Sequence, residues 1–219
     1  MENTIHSADK SSAGNIFRNI NLNQTITCDI KRIVDILVSL PLILICLSLL
    51  PVVAIMVKYK SVGPIFYTQH RYGLQKKKFK IYKIRTLHQH LCDDGSYQVT
   101  HKDPRVTKVG KWLRRFSIDE LPQLYNVLIG DMSLIGPRPH AVNMDDYYRD
   151  FIAGYDNRYN VKPGITGLAQ VKGCRGETKL IQDMEKRISY DLEYINSRSF
   201  WVDMLILLKT FRVVFHPAF

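Results

Sequence analysis

KRIVDILVSLPLILICLSLLPVVAIMVKYK, residues 31–60, is the stretch around which the rest of the chain is read. From Ile36 to Val57 it carries no charge, and a run of about 22 residues is long enough for one membrane-spanning helix. Two features argue against a simple span. Pro41 and Pro51 fall inside the run, and each removes a backbone donor and bends a helix. Lys31 and Arg32 stand before it and Lys58 and Lys60 after it, and basic flanks tend to stay on the cytoplasmic side. A segment that dips into the bilayer and returns satisfies both flanks, whereas a Pro-kinked span strands one of them. The expectation is a re-entrant segment, with the kinked span as the alternative.

Before the run lies a polar leader rich in Asn and Ser, expected to be disordered. It is too long for a signal peptide, and no small-residue cleavage site follows the apolar run. The expected division is therefore a leader over residues 1–27, a membrane segment over 28–60 and a cytoplasmic domain over 61–219.

The net charge of +11 is not spread evenly. Residues 58–118 carry +12, while 1–57 are neutral and 119–219 carry −1. A basic block directly after an apolar segment suits lipid headgroups or a phosphorylated substrate. Nucleic acid is the competing partner, but no helix-turn-helix or zinc-finger pattern is present, and the adjoining apolar run counts against it. The four cysteines, Cys28, Cys46, Cys92 and Cys174, form no CxxC pair and imply neither a disulfide framework nor a zinc site.

After Gly63-Pro64 the run Ile65–Gln69 reads as a short strand, and Phe79–Thr86 as a second, less cleanly alternating one. A polar loop containing Asp93-Asp94-Gly95 follows, between Leu87 and Pro104. Val106 to Phe116 reads as an amphipathic helix: Val106, Val109, Leu113 and Phe116 share a face away from Lys108, Lys111, Arg114 and Arg115, with Trp112 at the border. Trp201, Met204, Leu205, Leu208, Phe211 and Phe215 repeat the pattern near the end. Such stripes belong to a core or to a helix in the headgroup layer.

The densest cluster is Ser117-Ile118-Asp119-Glu120-Leu121-Pro122-Gln123-Leu124. Ser117 with Glu120 three residues on has the form of a capping box opening a helix. The same place has a chemical use. Carboxylates at a helix start sit near the positive end of its dipole, where an ionised Asp119 is available as a nucleophile and Glu120 as a hard oxygen ligand for a divalent metal. A carboxylate attacking a pyrophosphate meets like-charge repulsion, which magnesium and arginines offset. Arg114 precedes the pair, and Arg138 follows between Pro137 and Pro139, which restrict its backbone.

Together, Lys31–Asp35, Gly63–Phe66, Phe79–Thr86, Ser117–Leu124, Gly130–Pro139 and Lys162–Gly167 resemble the bacterial sugar transferase family of monotopic phosphoglycosyl transferases. Any one motif is weak; six in this order are specific. Arg175-Gly176-Glu177-Thr178, Met184–Arg187 and Tyr190-Asp191-Leu192 are similar to its undecaprenyl-phosphate glucose or galactose phosphotransferase branch, and the chain resembles the short form that lacks a large membrane region. The resemblance implies attack by Asp119 on the β-phosphate of a UDP-sugar, release of UMP, and passage of the sugar phosphate to undecaprenyl phosphate. It implies magnesium at Glu120, and substrate binding by Lys83, Arg85, Arg114, Arg138 and Asp131. It also implies a place on the cytoplasmic face of the bacterial inner membrane, in exopolysaccharide or related glycan synthesis. It leaves open which sugar is carried and whether the chain forms homo-oligomers. The Ser-Pro pair usual at the family's helix break is absent: Ser48 has Pro51 three residues later, and Pro41 is additional. The expected architecture is α/β: a small antiparallel sheet with surrounding helices, amphipathic interfacial helices, and one re-entrant membrane helical hairpin.

Overall fold

A computed structural model describes the backbone of residues 5–88, 98–100 and 102–215, and the side chains of residues 29–88, 98–100 and 102–212. The Asp93-Asp94-Gly95 turn lies outside the described residues. The chain divides into two units, residues 1–34 and 35–219. The first belongs almost wholly to α1 (Ile5–Lys60). α1 takes in residues 5–27 of the leader expected to be disordered; that stretch holds no proline to bar a helix. The apolar run clusters with the second unit rather than standing apart.

The packing of α1 shows why. Asp35, Ser39, Val53 and Val57 are buried, and Val38, Ile43, Cys46, Leu50 and Ala54 are half-buried. Their spacing of three to four residues makes one narrow stripe. Every other face stays apolar and exposed, with Leu37 at 67% and Ile55 at 70%. In water such a surface is unfavourable, and in a bilayer it is the normal outer face of a helix. The helix is long and apolar enough to cross a membrane. It runs as one helix through Pro41 and Pro51, since a proline bends a helix without ending it.

Both ends of the run are tied to the same unit. The Asp35 carboxylate accepts hydrogen bonds from the Leu134 amide (2.9 Å) and the Ser133 hydroxyl (3.1 Å). Past the far end, Arg85 donates to the carbonyls of Ser61 (2.7 Å) and Val62 (2.8 Å).

β1 (Phe66–Tyr72) and β2 (Lys78–Ile84) form an antiparallel hairpin, with Tyr67 opposite Lys83, Gln69 opposite Ile81 and Arg71 opposite Phe79. Directly paired residues share a face, and this one is turned inward, for Phe79 and Ile81 are buried. α2 (Lys108–Arg115) starts at Thr107, whose side chain accepts from the Gly110 amide. Gly110 is required there, because a Cβ would lie 2.2 Å from the Thr86 carbonyl oxygen. Leu113 is buried while Trp112 and Phe116 are exposed.

α3 (Gln123–Ile129) leads to β3 (Ser133–Ile135). α4 (Val142–Arg149) and a 3-10 turn over Tyr155–Asn160 precede β4 (Gly164–Thr166). β3 and β4 pair in parallel, which corrects the expectation of one antiparallel sheet. The pairing needs glycine: a Cβ on Gly164 would stand 2.1 Å from the Gly136 amide nitrogen. α5 (Leu168–Val171), α6 (Ile181–Ser197) and α7 (Phe200–Phe215) complete the unit. The core gathers Ile81, Val127, Met132, Leu134, Tyr194 and Ile206. On α7, Trp201, Leu205, Leu208 and Phe211 face outward and are not core, while the Phe215 side chain lies outside the described residues.

Candidate active site

Asp119 and Glu120 lie on a three-residue 3-10 turn, Ile118–Glu120, between α2 and α3. The turn is entered through Ser117, which adopts a left-handed conformation (φ 55°), uncommon for a residue with a side chain. The capping box does not form: the Ser117 side chain makes no cap bond, and its hydroxyl accepts instead from Arg175 Nη2 (3.3 Å). The reason is competition. The Glu120 carboxylate, which a capping box would turn back on the Ser117 amide, is held by two cations.

Lys83 Nζ, from the inner face of β2, donates to Glu120 Oε1 at 2.8 Å. The Arg138 guanidinium forks onto the same carboxylate, with Nη2 on Oε1 and Nη1 on Oε2 (3.0 Å). Such bidentate pairs fix orientation as well as charge. Burial disfavours the ionised form of Glu120, but the charges and hydrogen bonds of Arg138 and Lys83 win and hold its carboxyl well below the usual range. Burial pushes the Lys83 ammonium down, partly offset by Glu120.

Asp119 is 7% exposed. Burial and the Glu120 charge raise its carboxyl to about 6, against the lowering influence of Lys83, Arg114 and Arg138. Two neighbouring carboxyls are thus driven apart, the pattern expected where one stays ionised around neutral pH and the other is poised. Arg114 donates from Nε to Thr86 Oγ1 (2.8 Å).

The backbone of Arg138 is set from behind. Arg158 donates to its carbonyl and also to Asp145 Oδ1 (3.0 Å) and Asp191 Oδ2 (3.0 Å). Tyr155 donates to Asp145 (2.6 Å). His140 is pushed down to about 3 by burial and by Arg158, so its ring is neutral at pH 7.

Of the expected residues, Lys83, Arg114, Asp119, Glu120 and Arg138 come together. Arg85 donates to the carbonyls that follow α1. Asp131 lies in the turn between α3 and β3, and no hydrogen bond ties it to the cluster among the described residues. Arg71 and Arg175 have no expected role in the motifs, yet the charges of both act on Glu120 and Arg138. The period-two pattern of β1 is the signal for Arg71, which falls two and four residues from inward-facing Gln69 and Tyr67.

Among the described residues no group of three His, Cys, Asp or Glu side chains forms a metal cage. Magnesium, however, commonly takes one or two carboxylates and fills its shell with water and substrate phosphates. Asp119 and Glu120 supply that pair. Glu120 Oε2 accepts one hydrogen bond here, from Arg138, and so keeps a lone pair for a metal. The donor set fits a magnesium ion that is completed by substrate.

Residues 26–217 match the family described as bacterial sugar transferase. Over 180 residues the chain is 51% identical to the UDP-glucose:undecaprenyl-phosphate glucose-1-phosphate transferase of Klebsiella pneumoniae, covering 82% of this chain and 39% of that protein. It is 47% identical over 180 residues to the protein of the same description from Caulobacter vibrioides, covering 82% and 67%. A UDP-N-acetylgalactosamine-undecaprenyl-phosphate N-acetylgalactosaminephosphotransferase of Aeromonas hydrophila is 41% identical over 185 residues, covering 84% and 43%. The chain thus spans about two fifths of the length of the Klebsiella and Aeromonas proteins.

Proposed function

The chain belongs to the bacterial sugar transferase family, and from that premise we propose that it transfers a sugar 1-phosphate from a UDP-sugar to undecaprenyl phosphate and releases UMP. The observation that carries the reading is the pairing of a poised, buried Asp119 with a Glu120 locked by Lys83 and Arg138. With its carboxyl at about 6, Asp119 is ionised at neutral pH yet more basic than an ordinary aspartate, which suits a nucleophile.

In the first step an Asp119 oxygen attacks the phosphorus that bears the sugar. A bond forms between them, the bond from that phosphorus to the bridging oxygen breaks, and UMP leaves with the electron pair. In the second step an oxygen of undecaprenyl phosphate attacks the same phosphorus. The aspartyl bond breaks, the carboxylate is restored, and the lipid carries a diphosphate sugar. Arg114 and Arg138 lower the cost of bringing a carboxylate to an anionic centre. Glu120 would hold magnesium, which when bound would neutralise pyrophosphate charge. A carboxyl near 6 also suits a general base acting on the lipid phosphate, which is the second reading.

The two anchors of α1 support a re-entrant membrane segment in which the one helix is bent at Pro41 and Pro51. A crossing helix parts its ends, yet Asp35 and the carbonyls of Ser61 and Val62 are held by one unit that also carries the polar site. This supports a segment that enters and leaves on one side, with the +12 block favouring the cytoplasmic face. Cysteines placed at Lys31 and Lys60 should react with an impermeant reagent from the same side of a vesicle; labelling from opposite sides refutes re-entry.

Relatives differ in the sugar they are described as carrying, glucose or N-acetylgalactosamine, so the sugar is found by assay. The test is detergent-solubilised protein with magnesium, undecaprenyl phosphate and a panel of UDP-sugars, read as UMP. Release with at least one donor is expected, and none with any donor overturns the proposal.

A further inference from the structure

Around the two carboxylates the cations are held in two ways. Lys83 and Arg138 share Glu120, and Arg158 holds Asp145 and Asp191, whereas Arg114 donates to the neutral Thr86 hydroxyl. Arg71 belongs with the second kind and lies on the inner face of the hairpin. Its Nη2 donates to the Gln69 side-chain oxygen (2.6 Å), a neutral amide, and its Nε is buried without a hydrogen-bond partner. Among the described residues no carboxylate lies within ion-pair distance of it.

Arg71 is nonetheless directed at the site. It shares the inner face of the hairpin with Gln69 and, on the paired strand, with Lys83. Its bond to Gln69 draws the guanidinium back along β1 toward the Lys83 end. Its backbone forms an isolated bridge with Ala141, three residues beyond Arg138, which fixes β1 against the segment that carries that arginine. The charges it feels are those of the site: Arg138 acts against it, and Asp145 and Glu120 act for it. Both of those carboxylates are already engaged by other cations. A buried guanidinium beside another, with no carboxylate partner among the described residues, is unfavourable and is relieved by an anionic ligand.

We propose that Arg71 is a phosphate-contact residue, its guanidinium receiving a phosphate ester of a substrate beside the Arg138–Glu120 pair. This rests on the reading of the site as one for phosphoryl transfer. The shared chemistry is a phosphate oxygen anion, and it has two sources: the pyrophosphate of the nucleotide sugar and the phosphate of the lipid acceptor. Arg71 meets either with charge-assisted hydrogen bonds through the donors that Gln69 does not occupy.

The test uses the full chain in detergent, as wild type, Arg71→Met and Arg71→Lys. Inorganic pyrophosphate is titrated calorimetrically, melting is recorded without ligand, and KM is measured for the UDP-sugar and for undecaprenyl phosphate. Arg71→Met should melt no lower than wild type, since it removes an uncompensated cation, yet bind pyrophosphate about 10- to 100-fold more weakly. KM should rise by a similar factor for the donor or for the acceptor, which names the source. Arg71→Lys keeps the charge without the fork and should fall between the two. A wild type that binds no pyrophosphate, or an Arg71→Met that binds it unchanged with both KM values intact, overturns the proposal. So does a variant that melts well below wild type or does not fold, because Arg71 is then a structural residue. If wild type releases no UMP from any donor, the proposed function fails while the pyrophosphate titration still decides Arg71.

Discussion

Asp119→Asn should make the protein more stable while silencing it. The Asp119 carboxyl stands at about 6, against 3.8 for an ordinary aspartate, because burial and the Glu120 charge disfavour ionisation. The folded state therefore holds the proton more tightly than the unfolded chain does. Whatever stability the protonated group allows is fully present below pH 3.8, and it is lost as pH rises through about 6. That interval corresponds to roughly 3 kcal/mol at about 1.36 kcal/mol per pH unit, an upper bound because the group is coupled to Glu120. Asparagine has nearly the same shape and never ionises. In thermal unfolding at pH 7 it should melt above wild type by several degrees, since about 1 kcal/mol corresponds to 2–4 °C in a chain of this size. At pH 4 the gap should close. Groups that titrate equally in both proteins cancel, so the difference curve reports Asp119 together with the Glu120 charge that acts on it. Asparagine melting at or below wild type at pH 7, or a gap that is the same at pH 4, refutes the electrostatic account of the site.

Three further outcomes are expected. If the ionised Asp119 acts in the rate-limiting step, kcat/KM should fall about tenfold from pH 7 to pH 5, on a limb centred near 6 rather than near 4; a limb near 4 removes the raised carboxyl from the mechanism. Asp35→Ala leaves the Leu134 amide and the Ser133 hydroxyl buried without their acceptor, which should cost about 2–4 kcal/mol in denaturant unfolding, and a loss under ~0.5 kcal/mol contradicts the anchoring role. Glu120→Gln removes the charge that Lys83 and Arg138 share and a hard oxygen ligand, so more magnesium should be needed for half-maximal rate; an unchanged magnesium titration counts against that role.

Much of the site was legible because its parts sit in short, ordered motifs. Asp119, Glu120, Arg114 and Arg138 fall within 25 residues, and the prolines around Arg138 already mark a fixed backbone. The apolar run was equally plain, since lipid leaves no choice about composition. What local pattern could not supply was competition between partners. Ser117 and Glu120 spell a capping box, but Lys83 comes from 37 residues away and takes the glutamate. Arg85 shares a motif with Lys83 and so looked like a second substrate ligand. It also serves the two carbonyls after α1, a need invisible until the helix end is placed beside β2. The parallel β3–β4 pair escaped for another reason. Each strand has three residues, too few to show a period, and the pairing depends on Gly136 and Gly164 approaching without side chains. Arg71 would have been readable from its register against Phe79, but that register depends on the hairpin turn between Tyr72 and Lys78.

The central claim is that Asp119 forms a covalent bond to the transferred phosphorus, and the direct measurement is to trap it. Protein with magnesium and a UDP-sugar labelled in the β-phosphate, without lipid acceptor, should release UMP in a burst and retain label. The adduct should be an acyl phosphate cleaved by hydroxylamine, on the peptide that holds Asp119, and absent from Asp119→Asn. Full turnover should follow ping-pong kinetics. In a preparation that turns over with undecaprenyl phosphate, no label on protein together with intersecting double-reciprocal lines would contradict the claim and make Asp119 a general base for direct transfer.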